Sequence, residues 1–200
     1  MSSRASFRRR AAGAAGAVAA VLCVAEPAAA HTGLPTDGAL DGLAHPLLGL
    51  DHLLAMIAVG VLAATARDRR VAWLTPAGFV TGMVIGGLVG LSGVEAPFLE
   101  VGITASVVAL GALIVIRAAE AGLWLPLLAA CFGALHGHAH GAELPSDAAP
   151  LAYLAGFVLS TLVLHLAGTG IGLGLRRAPV VRVAAGSFVS AMGVLLLLGQ

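Results

Sequence analysis

Histidine and carboxylate side chains recur in an apolar stretch near the start of the chain. His45 and His52 are seven residues apart, about two helical turns, so a continuous helix would place both on one face, with Met56 a turn further along. Pro46 suits the first turn of such a helix. Asp51 would either hydrogen-bond an imidazole or bind a cation itself. Because neutral imidazoles and carboxylates are ligands for Ni²⁺, Co²⁺, Cu²⁺ and Zn²⁺, this run predicts a transition-metal site.

A second polar run lies further along the chain. His136 and His140 are four residues apart on one helical face, a spacing with which two imidazoles bind one ion, and Glu143 follows. His138 points away from this pair and is not expected to bind the same ion. The alternative is that these histidines only link helices through hydrogen bonds. Metal binding is favoured for the whole set, because ionisable groups within a membrane are costly unless they are paired, hydrated or metal-bound.

The composition is that of a membrane protein. Hydrophobic residues make up 59% of the 200 residues and charged residues only 10%, whereas soluble domains carry about a quarter charged residues. The scarcity of polar side chains excludes most enzyme classes, and no nucleic-acid partner is expected. No phosphate-binding loop of the G-x-x-x-x-G-K-[ST] type occurs, which argues against ATP hydrolysis. Cys131 is predicted to be a small buried residue.

Residues 1–30 are predicted to be a secretory signal peptide. Arginines at 4 and 8–10 precede a short apolar stretch, and Ala28 to Ala30 provide an A-x-A cleavage site. Cleavage would leave residues 31–200, with seven arginines, nine acidic residues and a net charge of −2. The new terminus would be His31, whose free amine and imidazole would together chelate a metal. The alternative for His31 is an ordinary flanking residue of the signal peptide.

Six apolar runs of about 20 residues or more predict an all-α fold, a bundle of six transmembrane helices in residues 31–200. All seven remaining arginines lie at the first, third and fifth loops, so these loops are predicted to be cytoplasmic, with the mature N-terminus outside a bacterial inner membrane. The predicted spans are 44–66, 71–92, 98–119, 121–141, 149–175 and 179–199.

This topology places both histidine runs in the outer half of the membrane, where they can converge. His165 would lie roughly 24 Å from the outer end of the fifth span, either as an inner ligand or as a packing residue. Glycines at every fourth position from Gly78 to Gly90 predict close backbone contact and a central position for the second span. The glycines between Gly168 and Gly174 indicate either packing or a break in the fifth helix.

At these residues the sequence resembles the HupE/UreJ family of nickel-transporting membrane proteins. The run H-P-x-x-G-x-D-H-x-x-x-M at 45–56 and the run F-x-x-x-H-G-x-x-H-G-x-E at 132–143 are similar to the two signature motifs of the family. The resemblance implies uptake of Ni²⁺, or Co²⁺, for hydrogenase or urease assembly. It also implies that the important polar residues of the family fall at His45, Asp51, His52 and Glu143.

The sequence therefore predicts a secondary permease whose partners are a divalent metal ion and the lipid bilayer. A homo-oligomer or complexes with metalloenzyme maturation factors are open alternatives. Binding requires neutral imidazoles, so capture should weaken as the pH falls through about 6.5. One rival is an accessory protein that binds metal for a partner enzyme without translocating it. A weaker rival is a membrane metallohydrolase in which His136 and His140 hold Zn²⁺.

Overall fold

The computed structural model of the protein describes residues 38–120, 122–142, 144 and 149–200. The all-α prediction is confirmed for this part of the chain, which contains seven α-helices and one short 3₁₀ turn at Ala118–Glu120. The helices are α1 (Ala39–Leu48), α2 (Leu50–Thr65), α3 (Arg69–Leu91), α4 (Leu99–Val115), α5 (Trp124–Ala142), α6 (Pro150–Leu175) and α7 (Pro179–Leu198).

The first predicted span is broken, and the prediction of a continuous helix there is wrong. The chain bends by 85° between α1 and α2, and Pro46 lies inside α1 instead of in a first turn. Proline has no backbone N–H, which weakens the end of α1. Gly49 at the break has extended backbone angles, φ −83° and ψ 113°, and its carbonyl accepts a hydrogen bond from the Leu53 N–H at 2.9 Å. Gly49 therefore ends one helix and begins the next.

Helix α2 is the centre of the bundle. It contacts α1, α3, α4, α6 and α7, and its side chains at Met56, Val59 and Leu62 are completely buried. The prediction that the glycine-rich helix is central is wrong. That helix, α3, packs mainly against α5 and leaves large apolar side chains such as Trp73 exposed.

Glycines bring the backbones of α3 and α5 into contact, as the four-residue repeat predicts. A Cβ atom on Gly82 would overlap the carbonyl oxygen of Ala130, and a Cβ atom on Gly137 would overlap that of Met83. Side chains larger than hydrogen at these positions would force the two helices apart. The same close approach occurs at Gly78, Gly86 and Gly90 on α3 and at Gly133 and Gly141 on α5.

The glycines of α6 also serve packing. Gly168 and Gly172 lie against the backbone or side chains of α2, whereas Gly170 and Gly174 have no neighbouring atom within 4 Å of a Cβ position. Helix α6 is continuous from Pro150 to Leu175. Of the two alternatives for this segment, packing is therefore the correct one.

Two arginines donate hydrogen bonds to backbone carbonyl oxygens at the ends of neighbouring helices. Arg176 donates a hydrogen bond of 2.8 Å from Nη2 to the carbonyl oxygen of Ala66, just beyond α2. Arg182 donates from Nη1 to the carbonyl oxygens of Ile114 and Val115 at the end of α4. Carbonyl groups at a helix end receive no N–H donor from a following turn, so the cationic side chains supply one, although the Ile114 carbonyl also accepts the Arg117 N–H at 3.4 Å. These contacts place Arg176 and Arg182 at the end of the bundle where α2, α4 and α6 terminate.

By length and composition, three of the described helices can cross a membrane: α3, α6 and α7. The bent pair of α1 and α2 makes a fourth if it counts as one span. Helix α4 is apolar but only 17 residues long, and α5 is not among the candidates. The described helices thus have the character of a membrane protein, while the count of six spans is not confirmed.

The prediction that Cys131 is buried is wrong, since its side chain is exposed on α5. The buried face of this helix carries Gly133 and Gly137, which contact α3. Cys131 precedes Gly133 by two residues, about 200° around the helix, and so points to the opposite side.

Replacing the glycines in the contact between α3 and α5 should destabilise the protein. We expect Gly82→Ala to lower the free energy of unfolding by roughly 1–3 kcal/mol, because the new methyl group overlaps the Ala130 backbone. The matched control Gly174→Ala adds the same group in open space and should be neutral or stabilising by roughly 0.5–1 kcal/mol. Unfolding by SDS in mixed micelles, followed by circular dichroism, measures both, and equal effects would contradict the packing argument.

Candidate metal-binding site

Four imidazole rings from three helices meet at one end of α2. His45 comes from α1, His52 from α2, and His136 and His140 from α5. The ring centroids are 4.4 Å apart for His45 and His140, 4.3 Å for His140 and His52, and 4.6 Å for His52 and His136. We refer to these four residues as the histidine cluster. The structure thus brings together the two histidine runs, as the sequence predicts.

The way in which His45 reaches His52 differs from the prediction. The two residues do not share the face of one helix, because the chain bends between them at Gly49. Their ring centroids are nevertheless 6.2 Å apart, since the bend folds α1 back towards the start of α2. A Cβ atom at Gly49 would lie 3.0 Å from both Asp51 Oδ1 and His52 Nδ1. The glycine therefore provides the space in which the acidic residue and the imidazole pair.

Only one member of the histidine cluster is partly exposed. His45 is partly exposed, whereas the exposed fractions of His52 and His140 are 6% and 4%, and that of His136 is 0%. The cluster therefore begins at the surface of the bundle and extends into its interior.

Asp51 orients one ring of the cluster. Its Oδ1 atom lies 2.7 Å from His52 Nδ1 and also accepts the His52 backbone N–H at 2.8 Å. Of the two roles predicted for Asp51, the structure shows the hydrogen bond to an imidazole. A carboxylate bound to one ring nitrogen leaves the other with its lone pair available, an arrangement common behind metal-binding histidines. That nitrogen, His52 Nε2, is buried and has no partner among the described residues.

Ser106 on α4 is a neighbour of the cluster that the sequence reasoning missed. Its Oγ atom lies 2.9 Å from His136 Nε2. A single serine in an apolar helix, 30 residues from its partner, gives no signal in the sequence. His136 Nδ1, the other ring nitrogen, is buried without a partner in the described part of the chain.

Buried imidazole nitrogens without partners are unusually frequent here. Both ring nitrogens of His138, His140 and His165 lack a hydrogen-bond partner within the described ranges. Each buried polar group of this kind costs about 1–3 kcal/mol when unsatisfied. The donor set, imidazole nitrogens in the buried interior, fits a borderline-soft divalent cation when the rings are neutral.

The rings do not yet have the geometry of a coordination site. Among the described residues, no group of three His, Cys, Asp or Glu side chains is arranged to hold a metal ion. His45 and His140 pack edge to face at 84°, and His52 and His136 at 85°. Joint coordination of an ion by three or more of these groups therefore requires at least one of the side chains to move.

A phenylalanine separates the cluster from His165. The ring of Phe79 on α3 lies 5.6 Å from that of His136 and 5.5 Å from that of His165, and it is fully buried. His165 on α6 is itself 4% exposed. The ring of Phe79 thus lies between His165 and the histidine cluster. Residue spacing gave no indication of Phe79.

The other predicted site residues have different positions. Met56 is completely buried in the core around α2. His138 is buried, and in the described part of the chain its ring has no contact with the cluster rings. Glu143, His31 and the predicted signal peptide lie outside the described residues.

Comparison with known proteins agrees with the motifs. The family model described as HupE / UreJ protein matches residues 19–196. Protein HupE of Rhizobium leguminosarum bv. viciae is 41% identical over 186 residues, which cover 90% of this chain and 95% of that protein. No solved structure matches the chain. The extent of both matches shows that the chain belongs to the HupE/UreJ family.

Proposed function

We propose that the protein is a secondary permease for uptake of a divalent transition-metal ion, Ni²⁺ or Co²⁺, across the cytoplasmic membrane for metalloenzyme assembly. The observation that carries this proposal is the histidine cluster, in which buried ring nitrogens without partners follow one another inward from a partly exposed histidine. A static binding site needs only one set of ligands. A series of imidazoles that leads from a partly exposed residue to a fully buried one suits an ion that moves.

The family supports the choice of ion. HupE/UreJ proteins are associated with nickel-related functions of hydrogenase and urease, and the family is an accessory or transport family, not a known catalytic one. Imidazole ligands bind Ni²⁺ well, although the ligand type alone does not separate it from Cu²⁺ or Zn²⁺.

The proposed topology has six spans after removal of residues 1–30. The bent pair of α1 and α2 is one span, and α3 to α7 are the other five. Arg176 and Arg182 lie at the end of the bundle opposite the histidine cluster, because α2 begins near His52 and ends near Ala66. Since positive residues favour the cytoplasmic side, the cluster faces the outside, where it captures the ion.

The proposed route follows the ring contacts. His45 meets the ion first, and His140, His52 and His136 replace its water molecules as side chains rotate. His165 then receives the ion beyond Phe79, and Met56 supplies a soft sulfur on α2. We propose further ligands at Glu143, which follows His140 on the chain, and at the amine of His31 in the processed protein.

Removal of one oriented ligand should slow uptake strongly. We expect His52→Ala to reduce the initial rate of Ni²⁺ entry into proteoliposomes at least about tenfold, because the ion loses the imidazole that Asp51 holds in place. A trapped nickel-sensitive dye reports the rate. His138→Ala is the matched control, since it removes a buried histidine that has no described ring contact with the cluster, and its rate should stay within about twofold of wild type.

The same vesicles separate transport from binding alone. Stoichiometric Ni²⁺ binding by the wild-type protein without entry of the ion would refute the permease and support an accessory metal-binding protein. A wild-type rate no faster than that of His52→Ala would equally contradict the proposal.

A second variant tests the inner end of the route. His165→Leu keeps a side chain of similar volume but removes both nitrogens. We expect Ni²⁺ affinity at the cluster, measured by calorimetry in detergent, to stay within about twofold, because Phe79 lies between His165 and His136. The uptake rate should fall about tenfold, equivalent to about 1.4 kcal/mol in the barrier. An unchanged rate would make His165 a packing residue.

A further inference from the structure

The hydroxyl group of Ser106 stands between two groups that compete for its single proton. Ser106 Oγ lies 2.6 Å from the carbonyl oxygen of Ile103, one turn earlier on α4, and 2.9 Å from His136 Nε2. Ser106 and His136 are both completely buried. No exchange of partners with bulk water is available to either side chain.

Proton counting assigns a direction to each hydrogen bond. The Ile103 carbonyl has no proton, so the serine hydroxyl must donate to it. The oxygen of Ser106 can then only accept from the imidazole. The proton between the two side chains therefore belongs to His136 Nε2, and the lone pair of the neutral ring is on Nδ1.

In His52 the proton is on the other ring nitrogen, Nδ1, instead of Nε2. Its Nδ1 atom is 2.7 Å from the Asp51 carboxylate, so the proton is on Nδ1 and the lone pair on Nε2. The centroids of the His52 and His136 rings are 4.6 Å apart. Of the four ring nitrogens of these two residues, the two with lone pairs, His52 Nε2 and His136 Nδ1, are the ones that are buried without a partner among the described residues.

We propose that Ser106 is a positioning residue that fixes His136 in the Nε2–H form, so that Nδ1 of His136 and Nε2 of His52 are the nitrogens that bind the ion. This inference rests on the proposed function, because it names the ligand atoms of the same site. Asp51 and Ser106 have the same role. Each accepts a hydrogen bond from one nitrogen of its histidine, so that the other nitrogen has the lone pair that binds the ion. Ser106 itself is not a ligand.

The first test needs no metal. In the full chain labelled with ¹⁵N-histidine in detergent micelles, long-range ¹H–¹⁵N spectra show which nitrogen of each neutral ring is protonated. We expect protonated Nε2 for His136 and protonated Nδ1 for His52, with the signals assigned from His136→Gln and His52→Gln. A wild-type protein with His136 protonated at Nδ1 would overturn the inference, whether or not the protein transports nickel.

The second test measures Ni²⁺ affinity by calorimetry. Ser106→Ala should weaken binding roughly 10–100-fold, as is typical when the group that orients a metal-binding histidine is removed. Ser106→Thr retains the hydroxyl and should recover most of the affinity. Ser190→Ala is the matched control, because Ser190 donates to the Val108 carbonyl at 2.9 Å in the contact between α4 and α7. Wild-type affinity in Ser106→Ala would refute the positioning role even if uptake itself were demonstrated.

If Ser106→Ala does not fold, the wild-type spectra still decide the proton positions. A failure of uptake with the expected spectra would reject the permease but retain the assignment of protons. The two failures are therefore distinguishable.

Discussion

A polar group inside an apolar bundle must find its partner within the protein, because hydrocarbon offers none. The arginine side chains follow this constraint when they donate to carbonyl oxygens at the ends of α2 and α4. Asp51 and Ser106 follow it when each binds one nitrogen of a histidine. The other ring nitrogens of His52 and His136 and both nitrogens of His140 depart from it within the cluster, as do the nitrogens of His138 and His165 outside it. The cluster differs from the rest of the bundle because such nitrogens from different helices lie close together there.

Close helix packing is what brings these nitrogens together. Helix α5 carries His136 and His140, and it is held against α3 by glycines that let the two backbones touch. A second set of glycines, which includes Gly60 on α2 and Gly168 on α6, lets the backbones of these two helices touch. Because glycine has no side chain to rearrange, these contacts fix the helix positions with little freedom. In the proposed transport cycle the rings move on this rigid framework.

Much of this arrangement could be predicted from residue types and periodicity. Apolar length gave the helices, with boundaries within a few residues for α3, α6 and α7, and the four-residue glycine repeat gave the contact between α3 and α5. The bend at Gly49 could not be predicted in this way, since a glycine after a proline is equally compatible with a continuous, kinked helix. Ser106 and Phe79 could not be predicted either, because their roles depend on partners far away in the sequence.

The sequence by itself determined the chemistry: a hydrophobic chain with few charged side chains, in which histidines and acids form two motifs. It also determined which helices can pack closely, because a repeat of small residues along one helix can be read directly from the sequence. Only the tertiary structure decided which nitrogen of His52 and His136 is available, that His45 joins the cluster across a bend, and that Phe79 separates it from His165. Hydrogen-bond direction and ring contact are properties of pairs of residues, and residue spacing along one chain does not contain them.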